Sequence, residues 1–293
     1  MSDLSLNSAM TSRTAEALDY FLLLKPRVMT LVVFTGIVGM SLAPGQLHPV
    51  LALSAILAIA VGAGASGAIN MWYERDVDAL MRRTQKRPLP QGRIDPDEAL
   101  SFGVVLTLFA VMLMGLATNW VAAFWLAVAS AFYVFVYTIW LKRRTPQNIV
   151  IGGAAGAFPP VIGWAAVTGT TPVEAWILFA LIFFWTPPHF WALALYRSED
   201  YARAGIPMLP VVKGKEHTRW QMLGYTLLLL PLSLAPVYVG FAGLVYCAAA
   251  SVLGIGFIAH AVRVLLRRDD ASARSMFFYS LFYLATLFAA LLI

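Results

Sequence analysis

The sequence predicts an all-α, polytopic membrane protein, built as a bundle of nine transmembrane helices. Of its 293 residues, 60% are hydrophobic and 12% are charged, whereas a soluble domain is about 45–50% apolar and about 25% charged. Nine apolar stretches are long enough to cross the hydrocarbon core of a bilayer. The basic residues lie between these stretches, at alternate connections.

The nine predicted spans are apolar stretches bounded by charged residues, Gly or Pro. They cover about residues 28–43, 49–72, 100–118, 120–141, 148–168, 174–195, 220–240, 243–266 and 275–293. The first is short, and we expect it to extend back through Lys25-Pro26-Arg27, because proline is tolerated in the first turn of a helix. Gly240 and Gly243 mark the boundary between the seventh and eighth spans.

The spans suggest one domain preceded by a tail. Residues 1–24 lack the basic, apolar and cleavage-site regions of a signal peptide, and we interpret them as a mobile tail. Two long connections, at about 73–99 and 196–219, follow the second and sixth spans. This spacing predicts that residues 25–293 form a single transmembrane domain of two similar four-helix halves and a ninth helix.

The distribution of charge predicts how the chain crosses the membrane. With nine spans, all 21 Lys and Arg residues fall on the side of the amino terminus. The positive-inside rule then places the amino terminus in the cytoplasm and the carboxyl terminus on the opposite side. The net charge of +6 is thereby explained without nucleic acid, and the single Cys247 excludes a disulfide framework.

A polar stripe begins inside the second span. Asn70, Glu74 and Asp78 are spaced four residues apart, so their oxygens share one face of a helix, with Asp76 nearly opposite. Oxygen ligands of this kind suit Mg²⁺, which also coordinates water and phosphate. The basic residues that follow suit the rest of a phosphate group; they are Arg82, Arg83, Lys86 and Arg87. The alternative is a solvated helix end with mixed charges. This alternative is disfavoured because the stripe begins within a membrane segment.

A second polar segment follows the sixth span. His189, Tyr196 and Asp200 share a broad stripe if the helix continues, and ionisable groups at the edge of a span are candidates for function. Pro187-Pro188 predicts a broken or kinked helix that lines a cavity. His189 has two interpretations: a histidine hydrogen-bonded within the bundle, or a contact to haem or another substrate.

A third segment, residues 152–164, combines small residues with Pro159-Pro160. It predicts close helix packing or a cavity wall. Together, residues 70–89, 152–164 and 187–207 resemble those of the protohaem IX farnesyltransferases, the haem branch of the UbiA-type intramembrane prenyltransferase superfamily. The resemblance extends from about Lys25 to the end of the chain.

The resemblance implies a helix bundle with a central cavity, open to the cytoplasm and to membrane lipid. It implies farnesyl diphosphate and haem B as substrates, Mg²⁺ as cofactor, and haem O as a product for terminal oxidase assembly. The location would be the bacterial cytoplasmic (inner) membrane. A haem O-using enzyme or oxidase assembly factors are the protein partners it suggests, with no nucleic acid.

The resemblance also assigns roles to individual residues. The implied metal ligands are Asn70, Glu74, Asp78 and Asp200; the diphosphate contacts are Arg82, Arg87 and Arg197; the catalytic residues are Asp78, Asp200 and Tyr196; and the haem contact is His189. Glu74 stands where the family usually has Asp. Tyr196 stands where relatives acting on quinone precursors tend to have a second Asp, which favours the haem branch.

Three alternatives remain at this point. A prenyltransferase of the same superfamily could act on a benzoate or naphthoate precursor of quinones. A membrane transporter could bind ions at its intramembrane acids, although the nearly charge-free opposite side disfavours it. A haem-handling assembly protein would bind haem and ignore Mg²⁺.

Overall fold

A computed structural model describes residues 15–293, and these residues form helices and connections without any strand. Residues 1–14, the first part of the predicted tail, lie outside the described residues. In chain order the helices are α1 (Ala17–Leu23), α2 (Pro26–Leu42), α3 (Pro49–Tyr73), α4 (Arg75–Leu80), α5 (Pro96–Ala117), α6 (Trp120–Ala131), a π segment (Phe132–Leu141), α7 (Asn148–Ala157), α8 (Pro159–Thr168), α9 (Val173–Tyr196), α10 (Ser198–Arg203), α11 (Leu209–Val212), α12 (Lys215–Val239), α13 (Leu244–Arg267) and α14 (Asp270–Ala290).

The predicted spans are found at the predicted places. Within residues 15–293, eight segments are long and apolar enough to cross a membrane, and the bent pair α1–α2 supplies a ninth. Two of the eight are composite, because α6 continues into the π segment and α7 into α8. The expected boundary near Gly240 is confirmed, since α12 ends at Val239 and α13 begins at Leu244.

The chain is already helical before residue 25. Helix α1 meets α2 at an angle of 53°, and Lys25 at the joint adopts a left-handed backbone conformation with φ of 52°. Leu23 is fully buried, and the buried Asp19 pairs with Arg93 at 3.1 Å. Residues 17–23 are therefore a docked helix, which corrects the expectation of a mobile tail for this part of residues 1–24.

The two proline pairs have different effects. Pro159 and Pro160 occupy the first turn of α8, where the missing N–H groups need no partner, and the helix restarts there. Pro187 and Pro188 lie inside α9, which runs without interruption from Val173 to Tyr196. Of the two predicted effects of Pro187-Pro188, a break or a kink, the break is wrong.

Small residues bring helices into backbone contact. A β-carbon on Gly39 would overlap the backbone of Pro160, and one on Gly163 would overlap the carbonyl of Gly36, so α2 and α8 can cross only because these positions are glycine. Gly152 likewise accommodates the ring of Tyr137. The close packing predicted for residues 152–164 is confirmed.

Connections that carry basic residues meet at one end of the bundle, which we call the basic end. Besides the Asp19–Arg93 pair, Asp76 after α3 pairs with Arg143 after the π segment at 2.7 Å. Glu216 at the start of α12 pairs with Arg268 after α13 at 3.2 Å. Segments far apart in the chain are therefore joined at this end, where the polar stripe also lies.

Candidate functional site

The polar stripe continues across the junction between α3 and α4. Helix α3 ends at Tyr73 and α4 begins at Arg75, yet Glu74 N–H donates to Asn70 O at 3.0 Å and Asp78 N–H donates to Glu74 O at 2.8 Å. The helical spacing therefore continues through the junction. As predicted, Asn70, Glu74 and Asp78 face one way, and all three are buried.

A basic side chain contacts each member of the stripe. Lys25 Nζ donates to Asn70 Oδ1 at 2.6 Å, and Lys142 Nζ donates to Glu74 Oε2 at 2.5 Å. Arg87 Nη1 donates to Asp78 Oδ2 at 2.6 Å. Lys25 precedes α2 and Lys142 follows the π segment, so three distant parts of the chain supply these basic side chains.

Lys142 and Glu74 form a close ion pair. Burial lowers the pKa of Lys142, but the charge and hydrogen bond of Glu74 outweigh burial, and the pKa of Lys142 is raised above its ordinary value. Lys142 therefore stays an ammonium group. The second oxygen of Glu74, Oε1, is buried and has no hydrogen-bond partner among the described residues, so the carboxylate retains an unused ligand position.

Thr138 in the π segment orients Asn70. Its hydroxyl donates to Tyr133 O at 2.8 Å, and it accepts a hydrogen bond from Asn70 Nδ2 at 3.1 Å. Because the nitrogen of the amide is held by Thr138, its oxygen points towards Lys25. Thr138 lies in a π-helix, a feature frequent at functional sites. Its contact leaves the amide oxygen of Asn70 available as a hydrogen-bond acceptor or metal ligand.

The two acidic segments border one buried cluster. Val77 and Met81 of the first segment belong to the same hydrophobic cluster as Tyr201, Ile206 and Met208 of the second.

Asp200 on α10 is buried, and its partners are basic residues of its own segment. It lies 3.2 Å from Arg203 and 4.0 Å from Arg197. Across the part of the chain that is described, no three His, Cys, Asp or Glu side chains converge on a common point. The four predicted ligands therefore do not form a ready-made ligand set.

Asp76 marks the outer face of the stripe, as the helical spacing predicts. Its side chain is 62% exposed and accepts two hydrogen bonds from Arg143, at 2.7 and 2.9 Å. The Arg143 guanidinium lowers the pKa of Asp76 below its ordinary value. This acid is held at the surface and faces away from the buried polar groups.

The other predicted residues differ in their surroundings. Tyr196 is half-buried, with Arg197 stacked over its ring at 5.6 Å. Arg87 contacts the stripe through Asp78. Arg82 is exposed and makes no ion pair with residues 15–293, so the structure does not bring it to the acids.

His189 lies on α9 in an aromatic sandwich. Its ring stacks on Trp185 at 4.3 Å and on Phe277 at 4.7 Å. Its Nδ1 is 2.6 Å from Ser280 Oγ on α14. The ring is therefore hydrogen-bonded within the bundle, the first of the two interpretations, and its other nitrogen has no hydrogen-bond partner among residues 15–293.

The sequence interpretation missed the cations that face the stripe. Lys25 and Lys142 contributed to the predicted topology alone, since nothing in one sequence says which basic residue meets which acid. The available signal was that Lys25 and Lys142 lie at the ends of apolar spans. Glu74 also lies at the end of a span, so all three residues are expected at a similar depth in the membrane. Thr138 gave no signal, because a threonine within an apolar span is unremarkable by itself.

Two oxygens of the stripe suit a magnesium ion. Carboxylate and amide oxygens are the ligands that Mg²⁺ prefers, and the unpaired Oε1 of Glu74 offers one of them. The second is Asn70 Oδ1, which accepts a hydrogen bond from the Lys25 amine.

Fold and site together define an integral membrane protein whose buried polar stripe is compensated by basic side chains. A model of the UbiA prenyltransferase family matches residues 32–285. The chain therefore belongs to the UbiA prenyltransferase family, and it is an intramembrane prenyltransferase.

Close relatives are similar over nearly the whole chain. A protein of Parvibaculum lavamentivorans named protoheme IX farnesyltransferase is 57% identical over 281 residues, which cover 94% of this chain and 88% of that protein. A protein of the same name from Granulibacter bethesdensis is 58% identical over 293 residues, covering 97% of this chain and 92% of that protein.

Solved structures share the fold at lower identity. A digeranylgeranylglyceryl phosphate synthase matches with a TM-score of 0.78 at 18% identity, covering 94% of this chain and 96% of that one. A UbiA homologue from Archaeoglobus fulgidus, bound to GPP and Mg²⁺, matches with a TM-score of 0.67 at 19% identity, covering 94% and 100%. The all-helical membrane fold predicted from the sequence is confirmed.

Proposed function

We propose that this chain transfers a farnesyl group from farnesyl diphosphate to a vinyl group of haem B, giving haem O and diphosphate. The similarity to relatives named protoheme IX farnesyltransferase supports both substrates. The observation that carries the chemistry is the buried stripe, where Asn70, Glu74 and Asp78 each contact a basic side chain. A site that holds acids and bases together suits a metal–diphosphate pair.

The polar groups have separate tasks in this proposal. Asn70, Glu74, Asp78 and Asp200 would hold Mg²⁺, which would supply positive charge to neutralise the leaving diphosphate. Arg87 binds the diphosphate directly, and Arg82 and Arg197 complete the basic rim. Lys25 and Lys142, which the sequence interpretation missed, join this anion-binding group because their Nζ atoms already lie beside the acids.

The reaction breaks the allylic carbon–oxygen bond and releases diphosphate. A vinyl carbon of haem B forms the new carbon–carbon bond, and water adds a hydroxyl group to the adjacent carbon and loses a proton. Tyr196 serves as a catalytic residue by stabilising the allylic cation with its ring. Burial of the stripe excludes water from the cation until the bond forms.

We further propose that the basic end faces the cytoplasm of a bacterial inner membrane. The distribution of Lys and Arg supports this orientation, and the ion pairs that join the connections support a common basic end. Haem B and farnesyl diphosphate would then reach the site from the cytoplasm or from the membrane lipid. Haem O would pass to oxidase assembly factors or to an enzyme that uses it.

A single assay tests the proposed reaction. Purified protein is incubated with haem B, farnesyl diphosphate and Mg²⁺, and haem O is sought by chromatography and mass spectrometry. We expect a product that disappears with a chelator and in Asp78→Asn, a variant that removes charge with little change in volume; a thermal melting curve establishes that this variant is folded. The matched control is Asp76→Asn, because Asp76 lies two residues away on the exposed face; this variant should keep its activity.

Other outcomes would contradict the proposal at distinct points. Farnesyl transfer to 4-hydroxybenzoate without haem O would overturn the acceptor and leave the diphosphate site in place. Full activity of Asp78→Asn with normal Mg²⁺ dependence would exclude Asp78 as a ligand. Haem binding without any transfer, in a folded protein supplied with Mg²⁺, would favour the assembly-protein alternative.

A further inference from the structure

The hydrogen bonds around Ser280 determine which nitrogen of His189 carries a proton. Ser280 Oγ lies 2.6 Å from Phe277 O and 2.6 Å from His189 Nδ1. A serine hydroxyl has one hydrogen to donate, and a carbonyl oxygen can only accept. The hydroxyl therefore donates to Phe277 O, and the hydrogen in the second contact must come from His189 Nδ1.

The other ring nitrogen is then left as a free base. A neutral imidazole has one N–H donor and one acceptor nitrogen, so an Nδ1–H leaves a lone pair on Nε2. Nε2 makes no hydrogen bond to residues 15–293, and it is not among the fully buried polar atoms of that range. It therefore keeps contact with open space, consistent with the 7% exposure of His189.

The ring is also held in one plane. Trp185 stacks on it at an interplanar angle of 18° and Phe277 at 23°, so both faces are covered. Trp185 Nε1 donates to Ser280 O at 2.8 Å, which ties the same serine to the stacking partner. The edge with Nε2 is the part of the ring on which an in-plane lone pair remains.

We infer that Ser280 is a positioning residue, which holds His189 as the Nδ1–H tautomer and presents Nε2 to the iron of haem B. This inference rests on the proposed function, because it names the ligand of the haem substrate. A histidine that binds a metal generally donates its other N–H to a fixed acceptor, and loss of that acceptor lowers metal affinity by about 10–100-fold. Ser280, with its side chain fully buried, is such an acceptor.

Nitrogen-15 NMR of histidine-labelled protein without haem tests the tautomer. The chain has four histidines, and His189→Gln identifies the signal of His189. We expect an unprotonated Nε2 in the original protein and in Ser280→Thr, and a mixture of tautomers in Ser280→Ala. An Nε2–H tautomer in the unsubstituted protein would overturn the inference without any variant, as would an unchanged tautomer in Ser280→Ala.

Titration with haem B, followed by absorption and resonance Raman spectra, tests the ligand role. We expect Ser280→Ala to weaken binding by about tenfold or more, with Ser280→Thr restoring it and His189→Gln losing the iron–histidine signal. The matched control is Ser233→Ala, since Ser233 is fully buried and also donates to the carbonyl three residues before it. Spectra that do not change in His189→Gln would overturn the inference. The proposed reaction is tested separately, by the assay for haem O formation.

Discussion

At the scale of single residues, the site is defined by pairs of opposite charge. In the pairs Glu74–Lys142 and Asp78–Arg87, the acid is buried and the base is partly buried. Removing one partner of such a pair leaves an uncompensated charge in the protein interior, which is strongly destabilising. Substitutions that conserve charge therefore separate the chemistry of these acids from their contribution to folding.

Glu74→Asp tests the departure of this chain from the usual family pattern. We expect the variant to fold and to keep activity within about tenfold of the original, a change of ~1.4 kcal/mol in barrier height. The reason is that a shorter carboxylate can still bind Mg²⁺, although it reaches less far towards Lys142. Initial rates of haem O formation over a range of Mg²⁺ concentrations measure the effect.

A complete loss of activity in folded Glu74→Asp would contradict this expectation and indicate a different role for Glu74. It would mean that the length of Glu74 serves the 2.5 Å contact to Lys142 more than it serves a metal. Lys142→Met in the same assay would then distinguish the two roles, because it removes the ammonium group and keeps a side chain of similar length.

At the scale of helices, the crossing of α2 and α8 is a close backbone contact. Gly36 and Gly39 on α2 lie against Pro159, Pro160 and Gly163 on α8. A side chain here would meet backbone atoms, which cannot move aside as a flexible side chain can. The effect of a substitution at this crossing is therefore mainly on stability.

We expect Gly39→Val to lower the thermal stability of the detergent-solubilised protein, because overpacking of a close contact costs about 1–3 kcal/mol. The matched control is Gly224→Ala on α12, where no atom lies within 4 Å of the added β-carbon. Alanine favours a helix over glycine by about 1 kcal/mol, so the control should be as stable as the original protein. An unchanged melting temperature in Gly39→Val would refute the tight crossing.

Local properties of the sequence predicted most of the helices, and non-local contacts account for what was missed. Span positions follow from runs of apolar residues, and Asn70, Glu74 and Asp78 share a face because helical spacing is local. The docking of α1 depends on Asp19 meeting Arg93, more than seventy positions away, and no local pattern encodes it. The uninterrupted α9 shows that neighbouring helices can override the tendency of Pro187-Pro188 to break a helix.

At the scale of the whole molecule, the orientation in the membrane can be tested with single cysteines. In a Cys247→Ser background, Gln85→Cys places a thiol on the basic end and Gln46→Cys places one at the opposite end, and both positions are exposed. We expect a membrane-impermeant maleimide to label Gln46→Cys in right-side-out vesicles and Gln85→Cys in inverted vesicles. The opposite pattern would reverse the proposed orientation.

The pairing of every stripe residue with a basic group has a thermodynamic consequence for ligand binding. A metal that bound alone would bring further positive charge beside Lys142 and Arg87, and a diphosphate that bound alone would compete with Glu74 and Asp78 for the same donors. When both enter, each buried charge exchanges one partner of opposite sign for another, so each ligand favours the other. Linkage requires the two enhancements to be equal, and equilibrium dialysis with each ligand alone and with both, corrected for their association in solution, measures the factor. Affinities that do not depend on the second ligand would show that the basic side chains keep their acids throughout, and that the metal and the diphosphate bind elsewhere.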